Sequence, residues 1–403
     1  MNNTPAAGWE KRALLFLVSQ CITLFGSTLV SMSLIWYAAM VTASGTWVAA
    51  FTVCSYLPQF LISFSGGVWA DRYHRKKLII GADTAIASVT LIMALAIPYL
   101  SSTPALLGGL LLMSAVRSSG AGIQTPAVSA VIAELVPEEK RMRYNGINAT
   151  LQSVVNFAAP AAAGALFAVS SLQTMLMTDI ITAVIGTGLL ARLKLPGPCQ
   201  SRNHGSFFSD MKDGIQYAFS DRLTGKLLII YGLFTFSNVP AGYLAGLLVR
   251  RTFGETYWYL SAAELSGFAG MTAGGILMST WGGFKQHKKT LTAGLLAFGI
   301  FAAWMGISKN FIFYLGIMFF YGVALQMVQT TITAMLQENT EKLLQGRVFG
   351  LLFAMYAGFL PLGMAIFGPL ADIFPLQQIM IGSGTALIAA AGVIHHDRTF
   401  RKI

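Results

Sequence analysis

Charge is what this sequence lacks most. Only 11% of its 403 residues are Asp, Glu, Lys or Arg, against about a quarter in an ordinary soluble domain. So few charges cannot clothe a water-facing surface, and with 55% hydrophobic residues most side chains must face lipid or one another. Cysteine is sparse as well: Cys21, Cys54 and Cys199 stand singly, with neither disulfide nor metal-ligand spacing. No H-E-x-x-H or G-x-S-x-G segment is present, and His395-His396 is a lone adjacent pair in the tail. An intramembrane enzyme would need such a metal or nucleophile constellation. The phosphate-cradling run G-x-x-x-x-G-K-[ST] is missing too, so work done on a ligand must draw on a gradient and not on a bound nucleotide.

What the chain has instead is a succession of long apolar runs, each long enough to cross a hydrocarbon core of about 30 Å as a helix. Twelve spans are expected, at roughly 13–41, 47–70, 78–97, 105–131, 145–168, 174–192, 226–250, 258–282, 291–307, 311–336, 347–370 and 377–394. The first follows Lys11-Arg12 as a signal peptide would, but it runs on to Val41 without a convincing cleavage site and reads as an uncleaved span. The formal charge of +11 is placed topologically. All Lys and Arg except Arg117, Arg250, Arg251 and Lys309 fall at the two ends and in the even-numbered links. That is the positive-inside pattern of a multi-pass inner-membrane protein with both termini cytoplasmic, and it argues against nucleic acid as a partner.

The one long link, Leu193–Gly225, contains Pro196-Gly197-Pro198 and separates an N-terminal six-helix bundle, 1–192, from a C-terminal one, 226–403. Within the linker, 193–225, Phe207, Met211, Ile215, Ala218 and Phe219 recur at helical spacing. They suit an amphipathic helix in the inner interface, or a plain tether. The halves read as diverged copies. At an offset of 204, Ser129–Gly146 aligns without a gap on Thr333–Gly350, matching Glu134 with Glu338, Arg143 with Arg347 and Gly146 with Gly350. The turn before Leu78 has a weaker counterpart in Gly282 to Lys289. Such a repeat implies an all-α integral membrane fold of two pseudo-symmetric six-helix bundles.

The basic turn between the second and third spans carries Gly67-x-x-x-Asp71-Arg72-x-His74-Arg75-Lys76. This resembles the signature of the major facilitator superfamily, G-x-x-x-D-R/K-x-G-R-R/K, with His74 in the place of a glycine. Arg117-Ser118-Ser119-Gly120-Ala121-Gly122 is similar to its second motif, R-x-x-x-G-x-G. The wording around Asp71, Arg117 and Glu264 looks most like the macrolide-efflux and siderophore-exporter branch, the drug:proton antiporters. Pro160 with Gly164, and Gly368-Pro369, match the exporters' antiporter motif in part. The resemblance implies a monomeric secondary active transporter working by alternating access. It implies a small-molecule substrate in a cavity lined by spans one, four, seven and ten, and a proton or other ion gradient in place of a cofactor. It also implies a cytoplasmic-side latch of Gly67, Asp71, Arg72 and Arg75, in which Asp71 faces the start of the eleventh span near Arg347. Ordinary topogenic charge would explain the basic residues alone, but not the acid.

Within the spans a few polar residues stand out. Arg117 lies deep in the fourth, where an arginine costs at least about 2.5–3.5 kcal/mol. It must be partnered and is expected to face a cavity, binding an anionic group or tuning an acid, unless it forms a buried structural ion pair. Glu264 lies inside the eighth span, where an acid either carries a proton or packs through hydrogen bonds. Asp83 is expected to pair with the basic turn, and Asp179 to be partly solvated near the outer end; both are secondary coupling candidates. The first span holds no acid, unlike that of the proton-driven multidrug members. Polar stripes run along the first span (Gln20, Thr23, Ser27, Ser31), the fifth (Asn148, Gln152, Asn156), the seventh (Tyr231, Thr235, Asn238) and the tenth (Tyr321, Gln326, Gln329, Thr330, Thr333). In lipid such stripes must face protein or water. With 18 Met and 27 Phe, walls that repack around bulky amphipathic ligands are available. The expected activity is export of hydrophobic or amphipathic small molecules: drugs, macrolides or siderophore-like compounds. The alternatives are import or uniport of an anionic metabolite through Arg117, and a non-transporting membrane receptor.

Overall fold

The computed structural model describes residues 8–137, 140–193, 195, 221–341 and 345–397, without the side chains of residues 64, 71, 142, 346 and 347. Among the described residues there are helices and no strands. In chain order they are α1 (Trp9–Thr42), α2 (Gly45–Arg72), α3 (Arg75–Ala96), α4 (Thr103–Leu135), α5 (Arg141–Val169) and α6 (Leu172–Arg192). Then come α7 (Arg222–Asn238), a π-helical turn over Val239–Tyr243, and α8 (Ala245–Thr252), which together make one span. The remainder are α9 (Tyr257–Trp281), α10 (His287–Ile307), α11 (Phe311–Asn339), α12 (Gln345–Ile373) and α13 (Leu376–His396). Among the described residues, eleven helical segments are long and apolar enough to cross a membrane. The twelfth, α9, has 25 residues but is diluted by Gly267, Gly270, Gly274, Gly275 and Glu264. The protein is thus a multi-pass helical membrane protein whose spans lie within a few residues of the expected ones. The expected amphipathic linker helix falls outside the described residues.

Long helices follow from the lipid, which offers no partner for a free backbone group. The ends are set by local chemistry. Asp221 and Asn310 accept from the backbone N–H of Thr224 and Phe313, at 3.0 and 3.1 Å, to cap α7 and α11. Gly282 ends α9 in a left-handed conformation at φ +71° that a side chain would resist.

The chain divides into two units. The first comprises residues 1–38 and 51–202, and the second 39–50 and 203–403. The joined tips of α1 and α2 therefore belong to the second unit. In unit 1, α2 and α4 pack with almost no side chain between them: a Cβ on Gly66 would lie 2.5 Å from the Gly122 carbonyl oxygen. Ser118 fixes the same crossing, donating to the Ser55 carbonyl at 2.8 Å and accepting from the Gln59 N–H at 2.9 Å. In unit 2, α9 meets α11 in the same manner, Gly270 against the Phe319 carbonyl and Gly322 against that of Gly267. Small residues let membrane helices approach to backbone contact, where dispersion and hydrogen bonding replace the absent hydrophobic drive.

The repeat is visible in side-chain roles. Arg75 of α3 pairs with Glu134 of α4 at 2.6 Å, and His287 of α10 lies 3.1 Å from Glu338 of α11. One residue later in each helix, Lys76 donates to the carbonyls of Ala191 and Leu193 at 2.8 and 2.7 Å, and Lys288 to that of Asp397 at 3.0 Å. Each lysine sits where the last carbonyls of a helix carry partial negative charge.

Candidate functional site

The polar residues of unit 1 assemble into two rungs across α1, α3 and α4. On each helix the members are seven residues apart, which is two turns and about 10 Å along the axis. The outer rung is built on Arg117 of α4. Its guanidinium forms an ion pair with Asp179 of α6 and donates to the Thr90 hydroxyl of α3 and, at 3.3 Å, to Ser27 of α1. Thr90 in turn donates to the Ile86 carbonyl at 2.8 Å. Arg117 and Asp179 are 4% and 2% exposed, so the pair is dry, and its desolvation is offset by a full set of partners. The inner rung holds Gln20 of α1, Asp83 of α3 and Gln124 of α4. Gln124 donates to Asp83 Oδ1 at 2.7 Å and approaches Gln20 Oε1 at 3.5 Å.

Two expectations are corrected here. Asp179 is buried and ion-paired, not partly solvated, because it lies two turns into α6 on the face packed against α3. Asp83 does not pair with the basic turn. It is 4% exposed and bound to Gln124, while Arg75 and Lys76 are held by Glu134 and by α6 carbonyls. Arg117 is partnered as its cost demands, but it is enclosed by helices and not presented to an open cavity. Thr23 is also buried and returns its hydroxyl to the carbonyls of Ser19 and Gln20.

In unit 2 the polar residues meet aromatic ones. Tyr321 of α11 donates to the Asn238 side chain at the end of α7. The π-helical turn follows directly, where Pro240 has no N–H to continue an α-helix. Gly242 within it leaves room for that bond, since a Cβ there would stand 2.9 Å from both Asn238 Oδ1 and Tyr321 Oη. Glu264 of α9 is half-buried and interacts electrostatically with Tyr314 and Tyr321. Among the described residues no cation pairs with it. The Tyr314 hydroxyl is buried and has no hydrogen-bond partner among the described residues. Tyr231 neighbours Tyr356 of α12, whose hydroxyl bonds that of Tyr243 at 2.6 Å. Gln326 bonds Thr330 at 3.2 Å, and Gln329 is half-buried on the same helix. Rings of Phe298 and Tyr321 stand 4.7 Å apart, and those of Phe236 and Phe367 4.9 Å apart. Sequence reasoning missed Tyr243 and Tyr356, which only the π-helical turn brings together.

A third cluster joins Asp372, the Ser44–Thr46 turn and Arg251, which no sequence pattern connects. Asp372, at the end of α12, accepts from the N–H groups of Gly45 and Thr46 at 2.6 and 2.9 Å and from the hydroxyls of Ser44 and Thr46, both at 2.7 Å. It thereby caps α2, where a carboxylate meets the positive end of the helix dipole. Arg251 of α8 bonds Asp372 at 3.0 Å and donates to the carbonyls of Ala43 and Ala371.

Of the expected cytoplasmic-side latch, Arg75 bonds Glu134, Arg72 is exposed, and a Cβ on Gly67 would meet nothing. The side chains of Asp71 and Arg347 lie outside the described residues. In α5, Gln152 and Asn156 are exposed and Asn148 half-buried.

Comparison with known proteins gives a consistent result. The family model described as Major Facilitator Superfamily matches residues 16–361. Macrolide efflux protein A of Streptococcus pyogenes is 27% identical over 399 residues, 98% of this chain and 98% of that one. The enterobactin exporter EntS of Shigella dysenteriae serotype 1 is 24% identical over 336 residues, 80% of this chain and 76% of that protein. Among solved structures, a bacterial homologue of the human lysosomal transporter Spinster superposes with a TM-score of 0.73 at 13% identity, covering 97% of this chain and 96% of its own. A bacterial homologue of the iron transporter ferroportin gives 0.71 at 16%, covering 96% and 99%. At those identities the structural likeness is one of fold.

Proposed function

Since the chain belongs to the major facilitator superfamily and is a membrane transporter, we propose that it exports hydrophobic or amphipathic small molecules from the cytoplasm by alternating access, in exchange for protons. The observation that carries this reading is Glu264: a half-buried acid on a membrane helix, beside Tyr314 and Tyr321, with no cation pairing it among the described residues. An acid so placed is neutral while enclosed and ionises when water reaches it, because no counter-ion holds it charged. The phenylalanines and tyrosines of α7, α11 and α12 supply apolar, repackable contacts and a few hydroxyls, the balance expected of a site for bulky amphipathic ligands. The likeness to macrolide efflux protein A and to an enterobactin exporter supports export and large, partly apolar substrates. A site in a bacterial inner membrane, cytoplasmic termini and a monomeric state belong to the same proposal, as do the division at the 193–225 linker and the Asp71–Arg347 latch.

Import of an anionic metabolite through Arg117 is the weaker reading, because that guanidinium is already committed to Asp179, Thr90 and Ser27. The deciding experiment is efflux of a fluorescent amphipathic cation and of a labelled macrolide from reconstituted vesicles, with and without an imposed pH gradient. Gradient-driven flux that disappears in Glu264→Gln is the expected result. Flux indifferent to the gradient, or unchanged in Glu264→Gln, overturns proton coupling through this acid.

A further inference from the structure

The inner rung of unit 1 repeats the outer rung with one substitution of consequence. Stepping seven residues inward, Ser27 becomes Gln20 on α1, Thr90 becomes Asp83 on α3, Arg117 becomes Gln124 on α4, and Asp179 becomes Gly186 on α6. The carboxylate has moved from α6 to α3, and the cation facing it has been replaced by a neutral amide. The outer carboxylate is therefore compensated and the inner one is not.

Three observations converge on Asp83. Its side chain is 4% exposed, which removes water as a partner. Oδ1 accepts a single bond, from Gln124 at 2.7 Å. Oδ2 is buried with no partner among the described residues. The charged groups around it do not help. Lys76, two turns away on the same helix, is held by the Ala191 and Leu193 carbonyls. Arg117 on α4 is held by Asp179, and Asp179 itself, on α6, acts on Asp83 with a charge of the same sign. From α1 the facing group is the neutral Gln20. A buried carboxylate with one hydrogen bond and no counter-ion is far costlier than a neutral carboxylic acid with one unused hydroxyl.

We propose that Asp83 is a proton-binding site, separate from Glu264, held as a neutral acid in the enclosed arrangement of α1, α3, α4 and α6 and able to release its proton when those helices admit water. Binding adds one proton to one carboxylate and nothing else. The Gln124 amide fixes the orientation through Oδ1, leaving Oδ2 to carry the proton. Gln20 holds Gln124 in place at the distance of a long hydrogen bond, 3.5 Å. Arg117–Asp179 then serves as a fixed ion pair that sets the helix register. This deepens the proton-coupled reading above, and its test is read on protonation itself, so the two can fail separately.

The test uses the full-length protein reconstituted in lipid vesicles and infrared difference spectra recorded as the pH is raised. The parent is expected to show a carboxylic C=O band that disappears on alkalinisation. Asp83→Asn is expected to lack that band. So is Gln124→Arg, in which a guanidinium facing Asp83 keeps it ionised. Glu264→Gln is expected to retain it. Should Gln124→Arg elute as aggregate, the near-isosteric Asp83→Asn decides alone. A parent band that survives in Asp83→Asn, or one that never titrates, overturns the proposal. A titrating Asp83 band in a protein whose efflux ignores the pH gradient leaves the site standing and removes the coupling assigned to Glu264.

Discussion

Removing one partner of the Arg117–Asp179 pair is expected to be among the most damaging single changes in the protein, and removing both much less so. Both side chains are nearly inaccessible, at 4% and 3%. In Asp179→Asn the guanidinium keeps Thr90 and Ser27, both neutral, and loses its counter-ion. An uncompensated buried charge of this kind costs about 3–5 kcal/mol, on the order of a hundred- to several thousand-fold in the folding equilibrium. Arg117→Met leaves the converse, a bare carboxylate, at a similar cost. In the double variant Arg117→Met with Asp179→Leu no charge remains. Thr90 still has its bond to the Ile86 carbonyl, so stability should return to within about 1–2 kcal/mol of the parent, as replaced buried pairs do elsewhere. The assay is denaturant unfolding in detergent micelles followed by tryptophan fluorescence, arranged as a double-mutant cycle. A coupling of about 3 kcal/mol or more is expected. Single variants within about 1 kcal/mol of the parent, with additive effects, would refute the claim that this pair is dry and mutually dependent.

Two further outcomes follow from local geometry. Gly270→Ala drives a Cβ into the Phe319 carbonyl oxygen, whereas Gly275→Ala meets nothing nearer than 3.9 Å. The first should lower stability in detergent by about 1–3 kcal/mol through forced separation of α9 and α11, and the second should be neutral or slightly stabilising; equal effects would contradict the packing described. Asp372→Ala removes the cap of α2 and should cost about 1–2 kcal/mol locally. Hydrogen exchange should quicken roughly five- to thirtyfold in residues 44–50, and unchanged exchange there would show that the cap is not holding the helix end.

Much of the fold was legible because hydropathy reports spans directly, and the alignment of Glu134 on Glu338 anticipated matching contacts at the C-terminal ends of α4 and α11. The interior of the site was legible only in part. The cost of a membrane arginine announced that Arg117 had a partner, but which acid met it depended on how α4 and α6 are rotated, and sequence carries no such register. Asp179 was misjudged by its nearness to a span end, although two turns of helix are enough to bury a short side chain. Asp83 was misjudged by its nearness in sequence to Arg75 and Lys76, which the fold spends on other partners. The seven-residue spacings 20/27, 83/90 and 117/124 were present in the sequence all along. They acquire meaning only when α1, α3 and α4 are laid side by side. The cap at Asp372 joins positions more than 300 residues apart, and no local pattern marks it.

The repeat also shows where the halves have parted. At the corresponding helix ends both keep the same devices: a basic residue against Glu134 or Glu338, and a lysine on the last carbonyls of a helix. Those contacts serve the architecture, and either half needs them. In the interior they differ in kind. Unit 1 places an arginine and two acids on a polar ladder of hydroxyls and amides, with nearly every polar atom assigned a partner. Unit 2 places one acid among tyrosines and phenylalanines, beside a π-helical turn that leaves Asn238 and Tyr321 joined across it. A rigid, hydrogen-bonded interior suits the holding and release of protons, since small shifts in partner geometry change the charge state that is favoured. An aromatic interior with a broken helix suits accommodation of ligands that vary in shape, since rings repack and the helix can bend at its irregular turn. On the two proposals above, the rung of unit 1 would handle protons alone, whereas unit 2 would join the acid Glu264 to the aromatic ligand contacts. Substitutions in the Gln20–Asp83–Gln124 rung should therefore alter the pH dependence of efflux for every substrate alike. Substitutions at Tyr231, Tyr243 or Tyr356 should instead change the ranking of substrates, and a rung variant that re-ranked them would break the separation.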